Sequence, residues 1–144
     1  RNVIPQIILL THGNWGEELI KSAEMIIGSI SNIKTFPLFT ETPLKEYVVS
    51  IKRELDSNTG YAIVLTDIFG GTTSNAAAML SRYHNIVAIS GLNMEMLITA
   101  NSVRRKYKCE DTKVIGDAIK GGGCDGCIDI IETLMNINER RRGD

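Results

Sequence analysis

Apolar positions along this chain fall into two patterns: short unbroken runs, and longer stretches in which they recur every three or four residues. The runs are residues 7–10 (IILL), 61–66 (YAIVLT) and 85–90 (NIVAIS). Too short for a helix core and bounded by turn residues, they predict strands buried on both faces, as in a parallel sheet. A further strand is predicted over 33–38. Between the runs, Leu19, Ala23, Ile26 and Ile27 predict a helix over 17–27, with Glu17 and Glu18 suited to its positive first turn and Gly28 ending it. Leu44, Tyr47, Val48, Ile51 and Leu55 mark the clearest helix, with Thr42 as its N-cap and Pro43 at its first position. An alanine-rich helix is predicted over 73–83, another over 94–106, and a third over 111–120 capped by Asp111 or Thr112. This alternation predicts right-handed βαβ units: an α/β fold with an open, mostly parallel sheet and helices on both faces.

The last quarter breaks the rhythm. Gly121, Gly122 and Gly123 predict a flexible break, residues 128–134 (IDIIETL) read equally as a strand or a helical turn, and residues 139–144 (ERRRGD) read as a solvated tail. With 144 residues and no repeat, low-complexity tract or linker, one domain spanning 1–144 is expected, with its core over 6–120.

Composition narrows the function classes. Hydrophobic residues make up 43% and charged ones 23%, as in a soluble globular chain, and a net charge of -1 argues against nucleic acid as the main partner. No apolar run is long enough to span a bilayer and the first residues do not resemble a signal peptide, so a cytoplasmic location is expected. Cys109, Cys124 and Cys127 are too few and odd in number for a secreted disulfide framework. Cys124 and Cys127 form a CxxC, but without a second ligand pair for zinc, and the motif follows three glycines instead of opening a helix after a strand. Incidental thiols, no metal and no bound cofactor are therefore expected.

Two loops that follow apolar runs carry the chemistry. His12 ends the first run and Asp67 ends the third strand, so in a parallel sheet both reach the same carboxyl-end rim, where α/β folds place ligands. An aspartate on one imidazole nitrogen sets the tautomer and leaves the other nitrogen with a free lone pair, which is what a nucleophilic histidine needs. Gly70 and Gly71 then lead into a helix whose N-terminus presents backbone N–H groups to an anion, with hydroxyls of Thr72, Thr73 or Ser74 as further donors. Taken alone the loop reads equally as a tight turn with capping hydroxyls. It matches neither the P-loop nor the dinucleotide fingerprint. Asn93, after the fourth strand, either lines the cleft or caps the next helix. Trp15 beside His12 is either a protein-binding aromatic or a core anchor, and His84 lies at the opposite pole in a structural or exposed position.

The ordered set THG, ELIKSAEMIIG, TDIFGGTTSNAA and GLNMEML resembles the enzyme IIA component of the mannose-type bacterial sugar phosphotransferase system, over roughly residues 7–97. The resemblance implies a sheet of order 2-1-3-4 and phosphorylation of His12 at Nε2 by the phosphocarrier HPr, with onward transfer to a IIB component. It further implies that Asp67 orients the imidazole, and that Gly13, Gly70, Gly71, Thr72 and Asn75 support the phosphoryl group. The membrane is involved only indirectly, through permease subunits. A homodimer is implied, in which a late antiparallel strand, here residues 126–131, is exchanged between subunits. Met94 and Glu95 stand where the family has an apolar residue and proline, and the CDGC segment is unusual for it. A regulatory domain and a phosphocarrier subunit of dihydroxyacetone kinase are the alternatives. A receiver that accepts phosphate on Asp67 needs further acidic residues after the first strand, and none lie between Ile7 and Asn14.

Overall fold

The protein is described by a computed structural model covering residues 4–106 and 111–143, so Cys109 lies outside the described residues. Through α4 its elements alternate as the apolar pattern predicts, and two further helices follow: β1 (Gln6–His12), α1 (Trp15–Ile27), β2 (Ile33–Leu38), α2 (Leu44–Asp56), β3 (Ala62–Thr66), α3 (Thr72–Leu80), β4 (Ile86–Ser90), α4 (Met94–Lys106), α5 (Thr112–Asp125) and α6 (Ile130–Gly143). The strands form one parallel sheet in the order β2-β1-β3-β4.

Strand periodicity divides the core. Ile7 and Leu9 of β1 join Ile63 and Leu65 of β3 on one face, beneath Ala23 of α1, Leu97 of α4 and Ile115 of α5. Ile8 and Leu10 join Val64 on the other, beneath Tyr47 and Ile51 of α2 and Ala76 and Leu80 of α3. Both central strands are covered on both sides, which is why they read as unbroken apolar runs. Their burial holds the carboxyl-end rim rigid.

A buried cation ties the opposite end together. Arg104, near the end of α4, is 2% exposed and donates to the backbone carbonyls of Pro5, Ser31 and Asn32 and to Asn101 Oδ1. Burial, with a smaller contribution from neighbouring Arg105, pulls its guanidinium down to about 10.

Four expectations need correction. Thr42 does not cap α2: Pro43 occupies the N-cap position in extended conformation, and the Thr42 hydroxyl accepts from Phe39 N–H at 3.4 Å instead. The alanine-rich helix ends at Leu80, short of Tyr83. Gly121, Gly122 and Gly123 do not break the chain but continue α5 to Asp125. There, an added Cβ on Gly122 would overlap Thr99 of α4, one on Gly126 would overlap Glu95, and one on Gly123 would lie 2.9 Å from Met96 Cε. The glycines let two helices touch, and that contact outweighs their poor helix propensity.

The fourth concerns residues 126–131, which form no strand. Residues 126–129 connect α5 to α6, which Ile130 and Ile131 open, and the Asp129 side chain accepts from Glu132 N–H at 2.9 Å, an N-capping bond that starts a helix. That helix includes most of the expected solvated tail and buries none of its residues.

Candidate functional site

Parallel strands deliver their carboxyl ends to one edge, and the register here aligns Leu10 with Thr66 and Thr66 with Ser90. The ladder continues one step further, since Asp67 N–H donates to Leu10 O at 3.1 Å. His12 and Asp67 are thereby set side by side at the rim. Gly13 turns the chain away in the left-handed region at φ 69°, held by its N–H on Leu38 O at 2.8 Å and by the buried Thr11 hydroxyl, which donates to Gly13 O at 2.8 Å.

Asp67 is engaged on both oxygens. Oδ2 accepts from His12 N–H at 2.7 Å and lies 2.8 Å from His12 Nδ1, while Oδ1 accepts from Ile68 N–H at 2.9 Å and from the Thr73 hydroxyl at 2.7 Å. Burial alone would push the carboxyl up, but these bonds from the His12 backbone, Thr73 and the His12 ring, with the charge of the imidazole, hold it below the ordinary carboxylate range. An ionised carboxylate only accepts, so Nδ1 carries a proton, and in the neutral ring Nε2 is left with a lone pair. The Asp67 side chain is 11% exposed and that of His12 51%, so the orienting group is sheltered and the ring is open to a reactant.

The free nitrogen faces the start of α3. A Cβ added to Gly71 would stand 3.4 Å from His12 Cε1 and 3.8 Å from Nε2, so glycine keeps this space open. Gly71 is the N-cap of α3 in extended conformation, and no side chain caps the helix. The first-turn N–H groups have no partner within the helix and carry its positive end, a place for an anion. Gly70, at φ 86°, makes the turn before it.

The three candidate hydroxyls take different roles. Ser74 stays within the loop, accepting from Gly70 N–H at 2.8 Å and donating to Gly71 O at 3.1 Å. Thr73 is fully buried on Asp67, a role the sequence did not single out. Thr72 lines a cleft with His12, Gly13, Leu38, Phe39, Thr40, Thr42 and Leu44. Asn75 stands exposed in the first turn of α3, its backbone N–H donating to Gly71 O at 3.0 Å, so its placement is on the helix that faces His12 rather than on the ring itself.

The remaining candidates sort themselves. Asn93 is a cap: its Oδ1 accepts from Met96 N–H at 2.8 Å, and its Nδ2 donates to Gly123 O at 3.0 Å. His84 pairs with Asp56 at 2.8 Å, at the far pole. Trp15 is 40% exposed at the start of α1, and Ile68 and Phe69 in the glycine loop and Phe39 beyond β2 are also exposed, so several bulky apolar side chains surround the rim. Tyr47, which helical periodicity marks only as core, donates to Phe36 O at 2.5 Å, and burial reinforced by the charge of Asp67 pushes its phenol well above the usual range. Cys124 and Cys127 are exposed thiols, and no group of three or more His, Cys, Asp or Glu among the described residues is placed to hold a metal ion.

Comparison with known proteins places the chain and its fold in one family. The profile of the EIIA-man family, described as PTS system fructose IIA component, matches residues 6–114. The fructose-specific EIIA component of the phosphotransferase system of Bacillus subtilis is 26% identical over 143 residues, covering 96% of this chain and 97% of that protein. The mannose-specific EIIAB component of Escherichia coli is 33% identical over 98 residues, 64% of this chain but only 29% of that longer protein. Among solved structures, a phosphotransferase system EIIA component from Streptococcus agalactiae superposes with a TM-score of 0.80 at 28% identity, covering 88% of this chain and 98% of that one. A mannose/sorbose-specific IIA subunit from Enterococcus faecalis gives 0.78 at 25% identity, covering 89% and 96%. A strand order of 2-1-3-4, a rim histidine and a match across most of its length lead to one assignment: the chain belongs to the EIIA-man family of phosphotransferase system IIA components.

Proposed function

We propose that the chain is a cytoplasmic phosphocarrier that accepts a phosphoryl group from HPr on His12 Nε2 and passes it to a IIB component. The observation that carries this reading is the 2.8 Å contact between His12 Nδ1 and Asp67 Oδ2, which commits one ring nitrogen and leaves the other facing the uncapped start of α3. In the transfer, the Nε2 lone pair attacks phosphorus as the donor's P–N bond breaks, and the ring gains positive charge that Asp67 balances. Gly71 leaves room for the phosphoryl oxygens, and the first-turn N–H groups of α3 and the Thr72 hydroxyl receive them. Gly13 and Gly70 hold the two loops in their turns, and Asn75 supports the same helix start. None of these steps requires a metal or bound cofactor.

The exposed Trp15, Phe39 and Phe69 suit transient docking of successive partner proteins around one reactive nitrogen. A second copy of the chain covers the edge of β4 in a homodimer. Of the two sheet edges, β2 carries Lys34 and Pro37, residues that blunt edge pairing, whereas β4 (IVAIS) has neither charge nor proline and leaves Ala88 exposed. The membrane is involved only indirectly, through permease subunits.

The test is delivery. Chain labelled with phosphate is mixed with a IIB component of a mannose-type system, and the label is followed on both proteins. Movement to IIB within seconds supports the carrier role; label that stays on this chain with every IIB tried points to a regulatory domain instead.

A further inference from the structure

The proposed chemistry requires the Asp67 carboxylate to keep one oxygen on the imidazole, and hydrogen bonds on both of its oxygens hold it there. Oδ2 takes both donors of His12, at 2.7 and 2.8 Å. Oδ1 has two further donors. One is the N–H of Ile68 at 2.9 Å, which is the next residue in the chain and moves with Asp67. The other is the Thr73 hydroxyl at 2.7 Å, which comes from α3, is 0% exposed and has a β-branched side chain with a restricted χ1. Thr73 also follows Thr72 and Gly71 in the helix start that faces Nε2.

We infer that Thr73 is the positioning residue of the site: through Asp67 it fixes which nitrogen of His12 is protonated, and it locks the imidazole to the helix that receives the phosphoryl group. The hydroxyl does not touch the reacting atoms. It donates its proton to Oδ1 and holds the carboxylate plane, so both ends of the reacting geometry, the imidazole and the helix N-terminus, share one rigid link. Removing it leaves Oδ1 tied only to its own loop. The imidazole then loses its fixed tautomer, and the distance between Nε2 and α3 is no longer set.

This inference rests on the phosphocarrier reading for its kinetic part but not for its spectroscopic part, and the experiment uses both. Full-length wild type, Thr73→Val, which keeps the shape of threonine without the hydroxyl, and Thr73→Ser, which keeps the hydroxyl, are compared without phosphate by the ring 15N signals of His12. They are then compared with phosphorylated HPr as donor by kcat and KM for labelling. The expected result is an Nδ1–H tautomer in wild type and Thr73→Ser, and mixed tautomers in Thr73→Val. In Thr73→Val kcat falls about tenfold or more, the scale of one lost charge-assisted bond, with KM for the donor unchanged. A Thr73→Val protein with wild-type tautomer and wild-type kcat overturns the inference, as does a Thr73→Ser protein that behaves like Thr73→Val. Should Thr73→Val not fold, as judged by denaturant unfolding, Thr73→Ala replaces it with the same two readouts. If wild type itself takes no label, the phosphocarrier reading fails while the tautomer comparison still decides the role of Thr73.

Discussion

At His12 the ring's chemistry depends on which nitrogen is occupied, and two neighbours decide it from opposite sides. Asp67 holds Nδ1, and Gly71 keeps the approach to Nε2 clear. Gly71 has φ -90°, which alanine adopts freely, so Gly71→Ala tests space and not backbone strain. Its methyl meets Ile68 Cγ2 at 3.3 Å and the ring at 3.4 Å. It should cost about 1 kcal/mol of stability by denaturant unfolding, but about 100-fold in the rate of His12 labelling, because small misplacements at a transfer site are expensive. Asp67 gives a pH prediction. Its folded pKa is held below its unfolded value, so the stability it contributes is present above the ordinary carboxylate range and disappears as pH falls through the folded value. Urea unfolding of wild type against Asp67→Asn should show a gap at neutral pH that persists to about pH 4 and closes below it; a gap that widens on acidification contradicts the assignment. His12 and Asp67 are legible in the sequence because each directly follows an apolar strand, where position alone implies the rim. The partner of Asp67 is not: Thr72, Thr73 and Ser74 are adjacent hydroxyls, and which one turns inward depends on the residue at which α3 begins.

Elements show where local rules yield to packing. The strands and α1, α2 and α4 follow from apolar spacing, since the central strands are buried on both faces and each of these helices turns apolar residues to the sheet, although Ile26 and Ile27 of α1 stay exposed. Three glycines in a row favour a break by propensity, yet they lie inside α5, and at Gly122 and Gly123 α4 comes so close that a side chain would not fit. Gly121 and Gly122 make a matched pair for testing this. At Gly121 nothing lies within 4 Å of an added Cβ, so Gly121→Ala should stabilise the protein by up to about 1 kcal/mol through helix propensity. At Gly122 the same methyl collides with Thr99, an overpacking cost of about 1–3 kcal/mol that outweighs the propensity gain. Thermal unfolding of the two variants should move in opposite directions; equal shifts would show that α4 and α5 are not in close contact. The segment after α5 fits no local pattern for a different reason. Its apolar residues Ile128, Ile130, Ile131, Leu134 and Met135 are exposed in the single chain, so no buried face marks a helix in the apolar pattern, and the helix begins instead at the Asp129 cap.

On the scale of the whole molecule, one parallel sheet separates a rim that carries the candidate chemistry from a pole that carries the structural anchors. Arg104 is the main anchor at that pole, satisfying three backbone carbonyls at the start of β1 and before β2. Arg104→Leu should lower stability by about 2–4 kcal/mol, measured by denaturant unfolding, because it removes the three hydrogen bonds by which a buried guanidinium holds α4 to the segments before β1 and β2, while leaving the tautomer of His12 unchanged. The strand order, by contrast, could not be read from periodicity; it came with the family resemblance, because which strands pair is a long-range outcome that apolar spacing does not encode. The proposed function turns on phosphorylation of His12 at Nε2. Full-length protein incubated with phosphoenolpyruvate and the upstream carriers, then analysed by 31P NMR and by peptide mass before and after acid treatment, measures it directly. One acid-labile phosphate per chain is expected, on Nε2 of His12, and no label on His12→Ala. Label that survives acid, sits on Nδ1 or persists in His12→Ala would contradict it.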